Sequence, residues 1–280
     1  MTFSEIKPRI KNLGNFDSLK EIKEAGLRIC KNTKTGDYWL IEEEFLKPVI
    51  KSPRECKSIL IKPEDLKYKV FLCNKSKEEL EGTGALKYIE WGEEQKTKDG
   101  VYWCKVPSVQ GRGNWYELSE NTNFDLIIPR TINDSYICYY GGICFSDRFY
   151  GIKTKNPDNL CLFLNSSIFA LLSESLAKQG LGLGALDLNI IEFNKIPVAI
   201  DVRNDASNIP KHKEILNIYK ELSIDPKNPI RNQQPKPLPD RAELDNIVFD
   251  ELGLTEQERK EVYWAVAELV KNRLEKARSA

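Results

Sequence analysis

Between Arg112 and Tyr150 the chain reads RGNWYELSENTNFDLIIPRTINDSYICYYGGICFSDRFY, a stretch that no long helix can occupy. Its apolar runs are short, rich in aromatic and β-branched residues, and parted by Asn, Ser and Gly turns. From Val101 onward the runs VYWCKV, FDLIIP, SYICYY and CFSDRFYGIK each predict a strand, so the centre of the chain is expected to be β-rich. The same stretch interleaves arginines with flat rings: Arg112, Trp115, Tyr116, Arg130, Tyr139, Tyr140, Arg148 and Tyr150. A guanidinium presents a planar fork of donors that matches phosphate oxygens or a guanine edge, and an aromatic face can stack on a displaced base or a sugar. The alternative for any one ring is the core, because successive strand side chains point to opposite faces. One of the adjacent pair Tyr139 and Tyr140 is expected inside for that reason.

The flanking segments divide into strands and helices by their period. Asp37 to Ile41 (DYWLI) and Lys67 to Cys73 (KYKVFLC) predict strands. Ser76 followed by Glu79 matches a capping box for a short helix ended by Gly82 and Gly84, and a second helix is expected over Leu86 to Gln95. Pro157 stands where a helix accepts its first residue. Leu160, Leu164, Ile168, Leu171, Leu172 and Leu176 then recur at helical spacing, predicting one supporting helix over about 158–179 with Gly180 as its stop. LDLNIIEFNKIPV reads as a strand ending at Pro197. A short helix over Lys211 to Leu222 precedes Pro226, Pro229, Pro235, Pro237 and Pro239, a semi-extended connector.

The last forty residues predict a helical hairpin. Asp240 can cap a helix carrying Leu244, Ile247, Val248 and Leu252, with Gly253 as its end. Thr255 and Glu258 form a capping box for a second helix with Val262, Val266, Leu269 and Leu274 in one stripe. The fold class expected is α+β: a β-rich core with supporting helices in residues 1–200, a Pro-rich connector over 201–240 and a C-terminal helical hairpin over 241–280.

Charge and cysteine content narrow the chemistry. The 42 basic and 42 acidic residues cancel, which argues against a generic polyanion binder. Locally the balance differs: Phe45 to Val70 holds seven basic residues against three acidic ones, so Lys51, Arg54 and Lys57 join the candidate nucleic-acid contacts. Asn114 is added beside Arg112 and Trp115. Seven cysteines at irregular spacings contain no CxxC pair and no nearby histidine, so no zinc site and no metal is expected, and reduced thiols in the cytoplasm are the default. MTFSEIKPRIKN lacks an apolar core of signal-peptide length, and the apolar run near Leu160 to Leu172 is broken by Asn165, Ser166 and Ser167, so no membrane partner is expected.

Other fragments of chemistry are weak. Gly180, Gly182 and Gly184 form GLGLG, but a helix precedes it and a strand follows, the reverse of a phosphate loop; a tight connection, with close backbone approach to a ligand, is the meaning left. Asp65 with Lys67, Glu55 with Lys57 and Glu42 with Lys47 resemble carboxylate–lysine fragments of metal-dependent nucleases, yet such pairs arise easily in a chain this charged. His212 has no activating partner near it in sequence, and no catalytic residue is assigned.

Several segments in order resemble the TaqI-like C-terminal specificity domain of adenine-specific DNA methyltransferases, which include fused restriction–modification enzymes. They are FLKPVIKSPREC, ALKYIEWGEE, GNWYEL, LIIPR, CFSDRFYGI, the stretch Leu160 to Val198, and LDNIVFDELGLTEQERKEVY. The LNS element Leu164 to Ser166, followed by a helix, a Gly-rich turn and IP, is also similar to type I specificity subunits. The resemblance implies sequence reading in the major groove by loops around Arg112–Trp115 and Arg130, with Leu164–Asn189 mainly architectural. It also implies a methyltransferase domain, in the same or a partner chain, that binds S-adenosylmethionine and flips adenine against an Asn-Pro-Pro-Tyr-type motif. Asn156-Pro157-Asp158 is not that motif, so no cofactor is expected on this chain. Double-stranded DNA is the expected partner. A protein-interaction subunit whose C-terminal hairpin and acidic patches dock a catalytic partner without reading DNA, and a small nuclease using Asp65, are the competing readings.

Overall fold

The computed structural model describes residues 2–119, 121–181, 184–198 and 215–279, with backbone alone over 178–181. The chain parts into two compact units, Met1–Pro48 with Tyr68–Glu120 and Val49–Lys67 with Asn121–Ala280. Both mix helices with small sheets, as expected of an α+β chain. The units do not follow the expected divisions near residues 200 and 240.

The first unit is built around a strand buried on both faces. After two short helices, α1 (Phe3–Ile6) and α2 (Leu19–Glu24), β1 (Leu27–Lys31) and β2 (Tyr38–Glu42) form an antiparallel hairpin. Tyr38 and Leu40 pack with Ile10 and Ile22, whereas Trp39 and Ile41 join a second cluster with Phe45, Leu80, Ala85 and Ile89, as the two-residue period of a strand dictates. The Asn12 side chain completes the edge, accepting from Leu40 N at 2.7 Å and donating to Leu40 O at 2.8 Å. β3 (Leu46–Ile50) leaves this unit, and β4 (Tyr68–Phe71) returns to it, inside the predicted Lys67–Cys73.

The Ser76–Glu79 box forms its hydrogen bonds, 2.7 and 3.4 Å, but closes turns rather than a helix. Helix α3 (Gly84–Glu94) starts later, because Thr83 caps it and the Glu42 carboxylate accepts from Gly84 N at 2.7 Å and Ala85 N at 2.9 Å. The predicted strand VYWCKV is instead a 3-10 turn over Trp103–Lys105, with Trp103 packed edge-on against Trp91 at 5.6 Å.

The second unit has β5 (Leu126–Pro129), wholly buried, at its centre. Next come β6 (Thr131–Ile132), β7 (Tyr139–Tyr140), β8 (Cys144–Phe145) and β9 (Phe149–Ile152). β5 pairs antiparallel with β7 and β9, and the end of β3 pairs parallel with β8, Val49 opposite Cys144. The supporting helix is two helices, α4 (Pro157–Leu164) and α5 (Ser167–Leu176), bent by 66° at Asn165–Ser166. The LNS element makes the break. Ser166 Oγ donates to Phe163 O and accepts from Phe169 N, ending one helix and capping the next. The Asn165 amide clamps the backbone N–H and carbonyl of Cys138 at 3.1 and 3.0 Å. No single helix among the described residues is long and apolar enough to cross a membrane; α4 and α5 are so only as a bent pair.

β10 (Lys178–Leu181) and β11 (Ala185–Asp187) extend a sheet with β6. Of the three glycines in GLGLG, Gly182 lies outside the described residues. Gly184 has φ +73°, and what approaches it is helix rather than ligand: a Cβ there would stand 2.8 Å from Ala277 Cβ. The predicted strand LDLNIIEFNKIPV ends early. Asn189 Oδ1 accepts from Glu192 N at 3.1 Å and starts α6 (Ile190–Phe193).

Residues 215–240 are no open linker. His212 and the start of the helix predicted from Lys211 fall outside the described residues; α7 (Ile218–Leu222), Ile224 and Ile230 sit in the same core as β5. α8 (Pro239–Glu251) has Pro239 at its first position, so Asp240 lies in the first turn instead of capping. α9 (Glu256–Ser279) opens on the Thr255–Glu258 box, with bonds of 2.8 and 3.4 Å. The hairpin is integral. Buried Arg273 of α9 binds Glu174 of α5 at 2.6–3.1 Å and the carbonyls of Gly184 and Asn133, while Tyr136 donates to the same Glu174. Buried Arg241 of α8 joins Glu221 of α7, and Asp245 accepts from Ser167 N at 2.7 Å and Ser167 Oγ at 2.6 Å.

Candidate nucleic-acid interface

The predicted belt of arginines and aromatics is divided between the units. Lys51, Arg54, Lys57, Arg130, Tyr139, Tyr140 and Arg148 belong to the second; Arg112, Asn114 and Trp115 belong to the first.

In the second unit two of the arginines share a cleft of about 640 Å³. Arg54 rides a 3-10 turn over Pro53–Glu55, begun by Ser52, whose Oγ accepts from Arg54 N at 3.4 Å. Arg148 stands in the turn between β8 and β9, which Ser146 fastens by donating to Lys51 O at 3.0 Å. Both side chains are exposed, and among the described residues neither guanidinium has an ion-pair partner. Thr131, Asn133, Asp134 and Ser135 supply hydroxyl, amide and carboxylate groups to the same wall. Such a lining suits hydrogen bonding to phosphates or base edges, with Asp134 as the one negative group among the lining residues.

The other predicted contacts of this unit serve differently. Arg130 is exposed but partly committed: it donates to Asp147 O at 3.1 Å and lies 5.1 Å over the Tyr150 ring. Lys51 and Lys57 are exposed beside the cleft-forming turn, and Lys57 lines a smaller pocket with Glu55 and Asp65. Tyr139 is fully buried. It forms the floor of the cleft, packs edge-on against Phe149 at 6.3 Å and has no face for a base. Its hydroxyl faces the Cys56 thiol, which burial and the Glu55 carboxylate push up to about 12. Tyr140 is half-buried, with its hydroxyl donating to Asp158 Oδ1 at 2.6 Å; burial and that carboxylate raise its pKa. Tyr139 therefore serves packing, and Tyr140 packs partly buried against the same core.

In the first unit Arg112 and Trp115 line a second cavity, of about 320 Å³, with Tyr88, Trp91 and Trp103. Trp115 is fixed twice. Its Nε1 donates to Glu93 Oε1 at 3.0 Å, and its ring lies on Gly92 so closely that a Cβ there would meet Cη2 at 2.7 Å. Asn114 is half-buried and its backbone N–H donates to Glu117 Oε2 at 3.2 Å. Tyr116 is interior, its hydroxyl donating to Lys75 O at 2.8 Å. Sequence reasoning missed Tyr88, Trp91 and Trp103. The first two stand three apart in ALKYIEWGEE, next to a glycine, a pattern that marks one aromatic helix face. It also missed the Asn133–Ser135 turn.

Fold and cavities together define a mixed α+β chain with a polar, arginine-bearing cleft in its second unit and an aromatic cavity in its first. No protein-family model and no curated protein matches the sequence. The fold is similar to a solved structure, the type IIG restriction endonuclease BpuSI, with a TM-score of 0.50 at 16% identity. The likeness covers 84% of this chain and 26% of that one, so the chain spans about a quarter of that enzyme's length. At this identity the likeness is one of fold.

Proposed function

We propose that this chain is the DNA-recognition part of a restriction–modification enzyme and reads double-stranded DNA through the cleft of its second unit. The observation that carries the reading is the pair Arg54 and Arg148: exposed, without ion-pair partners among the described residues, and set on a wall of hydroxyl and amide groups. Likeness of fold to a restriction endonuclease supports the same class. On this reading an adenine-N6 methyltransferase domain, in the same or another chain, supplies S-adenosylmethionine and the chemistry. Asn156-Pro157-Asp158 fits that division of labour, because Pro157 simply opens α4. A methyltransferase spends a few kcal/mol extruding its base, and discrimination then rests on a surface that grips the duplex first.

The test is duplex binding by the whole chain over a series of salt concentrations. Affinity should fall with salt, and Arg54→Ala and Arg148→Ala should each weaken binding. An arginine on a phosphate lowers the salt slope by about 1, whereas one on a base edge costs about 1–3 kcal/mol and relaxes one position of the site. No duplex binding at low salt would refute the proposal. A second reading, a subunit that docks a catalytic partner, draws on Ile190 and Ile191 of α6, adjacent and 56% and 71% exposed. On that reading the chain reads no DNA itself: Ile191→Asp would abolish assembly, and the parent chain would bind no duplex.

A further inference from the structure

We propose that the aromatic cavity of the first unit is a pocket for an unpaired nucleobase, with Arg112 at its rim taking the adjoining phosphate. The inference rests on the reading of the chain as DNA-binding but concerns a different cavity in a different unit. The walls are Tyr88, Trp91, Trp103 and Trp115, and the volume, about 320 Å³, falls within the range of small-molecule sites. The rings touch one another and are fixed in place. Tyr88 and Trp91 stack at 5.4 Å and 23°, but Trp103 stands at 88° to Trp91 and Trp115 is pinned to Glu93 and to the backbone at Gly92.

The polar groups select a nucleotide over another flat ligand. Trp103 lines the cavity, and its Nε1 is buried and, among the described residues, has no hydrogen-bond partner. Arg112 is exposed and, among the described residues, its guanidinium makes only a long bond, 3.4 Å, to Trp115 O. Lys34 Nζ lies 4.3 Å over the Trp103 ring. The carboxylates nearby are engaged: Glu93 with Lys77 at 2.6 Å and with Trp115, and Glu117 with Asn114 N. A cationic rim on an aromatic box excludes a quaternary ammonium, which needs a carboxylate at the mouth, and suits a base with its phosphate.

The experiment compares the affinity of the full chain for a fully paired duplex and for the same duplex with one extrahelical, unpaired base. The unpaired base should bind roughly tenfold or more tightly, as stacking on aromatic walls predicts. Arg112→Gln and Trp103→Leu should each bring that ratio close to one. Arg112 is exposed, so its variant decides if Trp103→Leu lowers the thermal midpoint. Equal affinity for the two duplexes, or an unchanged ratio in Arg112→Gln, overturns the proposal. So does tight binding of free deoxyadenosine monophosphate without preference for the unpaired duplex. Binding of paired duplex with no preference sinks the pocket alone; binding only when a base is unpaired supports the pocket and sinks the duplex-reading cleft; no binding to either sinks both.

Discussion

Arg148 and Tyr139 come from one stretch of sequence and end in opposite roles. The arginine reaches solvent from a turn; the tyrosine lies beneath the same cleft, fully buried. Tyr139→Ala should therefore cost about 3–5 kcal/mol of stability, as removal of a buried aromatic does, whereas Tyr139→Phe should cost less than about 1 kcal/mol, its hydroxyl facing only a thiol. Chemical denaturation of the two variants measures both, and duplex affinity of Tyr139→Phe should stay at the parent value. Gly92→Ala offers a second test. Its Cβ would press on the Trp115 ring, costing about 1–3 kcal/mol and displacing one wall of the aromatic cavity. Residue identity in the belt was legible in the sequence; burial was not, because alternation along a strand says that one of two neighbours is inside without saying which.

At the scale of elements, the helix stripe Leu160–Leu176 was legible, and its break was not. The break needs Asn165 to clamp Cys138, a partner 27 residues away that no local pattern reveals. The strand expected after Gly184 failed for a local reason that was open to inspection, the cap Asn189 three residues before Glu192. Proline content misled over 226–239, since Ile224 and Ile230 pin that segment into the core. The C-terminal helices were found, but their ties were hidden in single charged residues. Arg273→Met, leaving Glu174 buried without its cation, should cost about 3–5 kcal/mol, and adding Glu174→Leu should recover part of the loss, because much of the penalty is the stranded carboxylate. Urea denaturation of the single and double variants separates the two outcomes.

At the scale of the molecule, a net charge of zero hides local contrasts, and the chain's division into units was not legible because each is assembled from segments distant in sequence. The interior of the second unit is rich in protonated groups. Burial raises the pKa values of Cys56, Cys138, Tyr136, Tyr139, Tyr140 and Tyr263. A raised value means that the folded state keeps a proton that the unfolded chain releases. The stability it contributes is complete below the unfolded values, about 9 for thiols and 10 for phenols, and is lost as pH climbs past them. The denaturation midpoint should thus hold between pH 7 and 8.5 and fall steeply by pH 11. The central claim is selection among DNA sequences, and the most direct measurement is recovery of bound duplexes from a randomised pool by the whole chain. The pool should converge on one short motif, with one position relaxed in Arg148→Ala; a recovered pool as random as the input would contradict the account.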